Sequence, residues 1–192
     1  KMETNNKNQM IRLGDNAPDF EANTTFGPIK FSDFNKNNWV LLFSHPADFT
    51  PVCTTEMSGF ANDSAFFEER NTKLLGLSID SIHSHVAWVN NVKKNSGVLL
   101  NFPIIADIDM SVSKLYGMLQ PGESETSTVR AVFFIDPTSK VRLIMYYPLN
   151  VGRNLDEVIV PPPKTVEAML EREDSDYEMV DFYLAKKELS LQ

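Results

Sequence analysis

Cysteine is almost missing from this chain: one residue, Cys53, among 192. A lone cysteine cannot close an internal disulfide, which suits a reducing compartment and excludes a disulfide-stapled secreted scaffold. No apolar run approaches the length of a membrane span. Basic residues are also scarce, 18 Lys and Arg against 26 Asp and Glu for a net charge of −8. That balance argues against nucleic acid or an anionic membrane as partner. Only eight glycines are present, none grouped as a nucleotide-phosphate loop. The first nine residues are polar and Asn-rich, without a signal-peptide core, so a cytoplasmic location is expected.

What is present is a globular composition, 42% hydrophobic, enough for one well-filled core. The pattern alternates buried strands with helices. Trp39–Phe43, Lys73–Ile79 and Pro103–Ala106 are short, largely apolar runs of the buried-strand type. A helix from the cysteine region to about Arg70 and another capped by Asp80 or Ser81 lie between them. A short helix is expected over Ser111–Gly117. Ile29 and Phe31 alternate with polar neighbours as a hairpin edge, with Gly27-Pro28 as its turn. Arg130–Ile135 and Val141–Tyr147 are joined by Asp136-Pro137-Thr138-Ser139-Lys140 as a second hairpin. Together these predict an α/β protein with a mixed central sheet.

The stretch Ser44-His45-Pro46-Ala47-Asp48-Phe49-Thr50-Pro51-Val52-Cys53-Thr54-Thr55-Glu56 organises the rest. Thr50 suits an N-cap and Pro51 the first helical position, which puts Cys53 third. A thiol there lies beside unpaired backbone N–H groups at the positive end of the helix dipole. An ordinary cysteine is only about 3% thiolate at pH 7. A helix start contributes about 0.3–2 kcal/mol toward the anion, so a reactive thiol also calls for a fixed cation, with arginine the best suited. On residue chemistry alone, an inert buried thiol is an equal alternative.

The pattern Pro46-x-x-x-Thr50-x-x-Cys53 resembles the peroxidatic motif of the peroxiredoxins, in the extended form of the one-cysteine subfamily with an archaeal-type C-terminal arm. Further segments carry the resemblance: Asp15-x-Ala-Pro-Asp-Phe20, Leu77-Ser-Ile-Asp-Ser81, Phe102-Pro-Ile-Ile-Ala-Asp107, Val129-Arg-Ala-Val-Phe133 and Gly152-Arg-Asn154. The resemblance implies a thioredoxin-like fold over residues 1–157 and a small arm over 158–192. It implies a cofactor-free, metal-free peroxidase that reduces hydrogen peroxide and organic hydroperoxides through a Cys53 sulfenic acid. By the same resemblance Cys53, Thr50, Arg130 and Pro46 are catalytic, and Arg130, Arg153 and His45 line the substrate site. His45 matches a lining residue rather than a general base, and Glu56 is given no catalytic role. His83 and His85 face different ways on a helix, so no zinc site is expected from them.

Where relatives of archaeal type carry further cysteines, this chain has Met179 and Ala185, so an external thiol must serve as reductant. The family forms homodimers and, in some members, decamers. A lipase activity credited to some members uses a Gly-x-Ser-x-Gly sequence. The matching stretch here, Lys36–Val40, has no serine, and that function is withheld. One competing reading is a holdase-type chaperone using the aromatic surface around Phe182. A thioredoxin-type reductase is excluded by the lack of Cys-x-x-Cys. Asn154-Leu155-Asp156-Glu157 starts a helix that Val158-Ile159-Val160 and three prolines stop at once, which predicts that residues are absent between Glu157 and Val158.

Overall fold

The computed structural model describes residues 10–155, 158, 177–181 and 184–187. The chain falls into two compact units, Lys1–Leu155 and Asp156–Gln192. In the first, seven strands form one mixed sheet in the order β2-β1-β5-β4-β3-β6-β7. These are β1 Glu21–Thr24, β2 Gly27–Lys30, β3 Trp39–Ser44, β4 Thr72–Ser78, β5 Ile104–Ala106, β6 Arg130–Ile135 and β7 Val141–Tyr147. Its helices are α1 Phe31–Asn35, α2 Pro51–Asn62, α3 Ser64–Glu69, α4 Ile82–Ser96 and α5 Ser111–Leu115. In the second unit Tyr177–Asp181 (β8) pairs antiparallel with Leu184–Lys187 (β9). The C-terminal sequence also predicts a helix over Thr165–Arg172; that stretch, the Phe182 surface and the junction at Glu157 lie outside the described residues.

The centre of the sheet is β4-β3-β6, where the apolar runs are longest. Val40, Leu41, Leu42 and Phe43 in β3 have no exposure, nor do Leu75 and Leu77 in β4. Strands buried on both faces read as unbroken apolar runs, which is why they stand out in the sequence. Strands β3 and β4 run parallel, whereas β6 runs antiparallel to β3 with Phe43 opposite Val132. The start of β6 therefore lies at the same sheet end as the exit of β3. That single topological fact brings Arg130 toward the helix that follows β3.

Three local expectations are revised. The hairpin turn falls at Thr25-Phe26, because Gly27 already pairs with Thr24. Gly27 has φ of 104°, a conformation that suits glycine. Phe31 leaves the strand and opens α1, where its buried ring stacks on Phe20. The helix expected to reach Arg70 breaks at Asp63, with φ −91° and ψ 9°, and restarts as α3. Asn62-Asp63-Ser64 supplies three residues whose short polar side chains disfavour a helix interior. Helix α4 follows its signals: the Ser81 hydroxyl accepts from the Ser84 N–H, and Gly97 closes it at φ 76°.

Candidate active site

The bend between β3 and α2 is tied down by backbone and side-chain bonds. The His45 N–H donates to the Leu77 carbonyl at 2.9 Å. The Ser44 hydroxyl donates to the Val129 carbonyl at 2.6 Å, and accepts from the Ala131 N–H at 3.1 Å. Thr50 is extended at the N-cap position and Pro51 opens the helix. The Thr50 hydroxyl donates to the Ala47 carbonyl at 3.1 Å and does not cap the helix by accepting from one of its N–H groups. Cys53 follows in the first turn, with no exposure to solvent.

One arginine meets the thiol. Arg130 Nη1 lies 3.4 Å from Cys53 Sγ, within hydrogen-bonding reach of sulfur. Its guanidinium is aimed by the Leu149 carbonyl, which accepts from Nε at 3.0 Å and from Nη2 at 2.9 Å. Nη1 also donates to Glu56 Oε2 at 2.6 Å. Glu56 in turn holds Arg153, accepting from its backbone N–H at 2.6 Å, its Nε at 3.1 Å and its Nη2 at 2.9 Å. Arg153 Nη1 is fixed by the carbonyls of Ser44 at 2.9 Å and Ala131 at 3.1 Å. Its guanidinium carbon sits 5.5 Å from the centre of the Phe43 ring and 5.6 Å from that of Phe60. Burial alone would raise the Glu56 carboxyl. The charge and hydrogen bonds of Arg153, then the charge of Arg130, outweigh that and hold it below its ordinary range.

The structure therefore gathers Cys53, Arg130 and Arg153, the last through Glu56. Thr50 lies one turn before the sulfur and is spoken for by Ala47; Pro46 is half-buried in the same bend. His45 is fully buried, with Nε2 2.8 Å from Asp48 Oδ1. Burial pushes its imidazole below the ordinary histidine value, against the pull of Asp48.

Glu56 was missed as a site residue, yet a signal was present. It follows Cys53 by three, so both lie on one helical face, and two buried arginines need a counter-charge. Also unanticipated is the joining of His45, Asp48 and His85, whose candidate ligand atoms lie within 4.8 Å of one another. Here His85 pairs with residues of the cysteine bend and not with His83.

A buried thiol at a helix start, gripped by an immobilised guanidinium, can stabilise a sulfur anion and an oxygen developing charge beside it. Comparison with known proteins identifies the chemistry. The AhpC/TSA family model matches residues 13–144. The chain belongs to this family and is a peroxiredoxin. A peroxiredoxin of Aquifex aeolicus is 46% identical, with 93% of this chain and 97% of that protein covered. Peroxiredoxin 2 of Caldanaerobacter subterraneus is 48% identical, covering 93% of each. Among solved structures, the yeast mitochondrial 1-Cys peroxiredoxin superposes with a TM-score of 0.73 at 42% identity, over 88% of this chain and 80% of that one. Peroxiredoxin 6 of Arenicola marina, as a cysteine-to-serine mutant, gives 0.73 at 38% identity, over 87% and 77%. The peroxiredoxin fold is thioredoxin-like, as the resemblance implied, and the activity is that of a thiol-dependent peroxidase. The comparisons give no support to the holdase alternative. Among the described residues, no helix is long and apolar enough to cross a membrane.

Proposed function

We propose that Cys53 is the reacting thiol of this peroxidase and Arg130 its principal partner. The observation that carries this is the approach of Arg130 Nη1 to the chain's single thiol at 3.4 Å. The Cys53 thiolate attacks the terminal oxygen of a hydroperoxide. The S–O bond forms as the O–O bond breaks, and the alkoxide or hydroxide leaves and takes up a proton. The sulfur is left as a sulfenic acid. Arg130 steadies the anion and the reacting oxygens by charge-assisted hydrogen bonds. Glu56 and Arg153 hold Arg130 in place, Pro46 shapes the pocket, and Thr50 lends its hydroxyl once substrate competes with the Ala47 carbonyl. His45 acts from its buried position beside the bend.

With one cysteine in the chain, return to the thiol needs an outside reductant. The yeast 1-Cys structure is described through glutathione and thioredoxin systems. A small thiol or a thioredoxin-type dithiol is the reductant proposed here, in a reducing compartment such as the cytoplasm. The proposed assembly is a homodimer, able to build decamers, with the peroxidase unit ending near Glu157 and a C-terminal arm after it. The match to the Aquifex relative runs over 215 aligned positions, more than the 192 residues of this chain. Gaps on this chain's side are what an absent internal segment, proposed here between Glu157 and Val158, would require. An intact mass near 21.7 kDa for the native protein would refute that absence.

The test is stopped-flow oxidation with hydrogen peroxide and an organic hydroperoxide, with mass spectrometry of Cys53. Cys53→Ser should lose all turnover. Arg130→Ala should slow oxidation by roughly 100- to 1,000-fold, the usual cost of one anion-stabilising donor. Full activity in either variant would overturn the assignment.

A further inference from the structure

The second buried charge cluster lies between α4 and the bend that precedes Cys53. Hydrogen-bond accounting there leaves one proton to be placed. His85 Nε2 is 3.0 Å from the Ile105 carbonyl, which can only accept, so Nε2 must donate. The other ring nitrogen, Nδ1, faces the Asp48 carboxylate at 2.8 and 3.0 Å. A neutral His85 would set a nitrogen lone pair against carboxylate oxygens with no water between them. A cation has to lie there, either a proton or a metal ion.

The distances favour the proton. Contacts of 2.8 Å match a charge-assisted N–H···O bond. A metal about 2.0–2.2 Å from each atom would spread the ligand atoms further apart and ask for a fourth ligand. Asp48 already accepts from the Ser84 hydroxyl at 2.8 Å and meets His45 Nε2 at 2.8 Å. Its backbone N–H donates to Asp80 at 3.0 Å, the other carboxylate facing the bend. Burial alone would raise the Asp48 carboxyl. Hydrogen bonds from His45 and His85 outweigh that and hold it far below the ordinary range, as a carboxylate acceptor.

We propose that His85 is a positioning residue for the Cys53 reaction: its doubly protonated ring anchors Asp48, and Asp48 fixes His45 as the Nε2–H tautomer. His45 Nδ1 is then left as a buried acceptor with no partner among the described residues. The same face of α4 grips the cysteine helix. Trp88, three residues on, lies 5.0 Å from the His45 ring and donates from Nε1 to the Thr54 hydroxyl at 3.2 Å. A buried ion pair from α4 thus fixes the chain between β3 and the N-cap of α2, where a small displacement of the sulfur is costly.

This inference rests on Cys53 as the reacting thiol, and its test separates the two. Long-range ¹H–¹⁵N correlation on the native protein at pH 7 should show both His85 nitrogens protonated and His45 protonated at Nε2 only. His85→Gln should turn His45 into a tautomer mixture. It should also lower the rate constant for Cys53 oxidation roughly 10- to 100-fold, as misplacement by a distant change does. A singly protonated His85, a zinc or other divalent ion at one equivalent in the purified protein, or a folded His85→Gln with unchanged oxidation rate would each overturn it. If His85→Gln does not fold, the native spectrum decides alone. Loss of the Cys53 assignment would appear instead as native turnover surviving Cys53→Ser.

Discussion

Glu56→Gln removes one oxygen and one charge from the junction of two buried arginines. In the native protein Oε1 accepts from the backbone N–H and Nε of Arg153, while Oε2 accepts from Nη1 of Arg130 and Nη2 of Arg153. An amide keeps only one of those two acceptors. Whichever way it turns, its NH₂ group meets two N–H donors. Arg153 is 6% exposed and Arg130 3%, so neither guanidinium can recover its hydration. Removing one partner of a buried ion pair costs about 3–5 kcal/mol. With a urea m-value near 2 kcal/mol per molar, the unfolding midpoint should fall by roughly 1.5–2.5 M. Glu69→Gln is the control. It removes an exposed ion pair, 3.6 Å from Arg70, and should change stability by less than about 0.5 kcal/mol. Equilibrium urea unfolding of both variants at pH 7 decides the matter. A loss below about 1 kcal/mol for Glu56→Gln would mean that the arginine pair does not depend on this carboxylate.

Acid should weaken the fold in two stages, read by urea unfolding from pH 8 to 3. His45 is depressed from its ordinary value of 6.5, so below that pH the unfolded chain binds a proton that the folded chain refuses, and stability falls. Glu56 is depressed from 4.5, and Asp48 is likewise lowered, so their stabilisation is present above the ordinary carboxylate range and is lost as acid protonates them in the fold. Constant stability between pH 6 and 5 would contradict the His45 assignment. Gly76→Ala should cost about 1–3 kcal/mol by overpacking, and lower the Tm accordingly in calorimetry. Its new Cβ would stand 3.1 Å from Met57 Cε and 3.4 Å from Ile104 Cγ1. An unchanged Tm would show that Met57 yields without strain.

Much of the fold could be read from local chemistry. Strands β6 and β7 were bounded correctly because Asp136-Pro137 and the flanking apolar runs mark both ends. The cysteine's place in the first turn of α2 was legible because Thr suits the N-cap position and Pro the first helical position. The arginines could be named only through the resemblance, since nothing local links Arg130 to a sulfur 77 positions earlier. The break at Asp63 was hidden because apolar residues continue on both sides of it. The His45–Asp48–His85 cluster was hidden for a different reason. His85 is 37 positions from Asp48, and its partner is chosen by the packing of α4, not by its neighbour His83. Glu56 was overlooked because an acid near a helix start already has an ordinary explanation, and its role here needs both arginines in place.

A solitary thiol with no solvent contact also makes this protein its own reporter. Any thiol-selective reagent that marks the chain has reached the first turn of α2, so the stoichiometry of labelling has a ceiling of one. Its rate becomes a clock for how often that turn lifts away from Arg130.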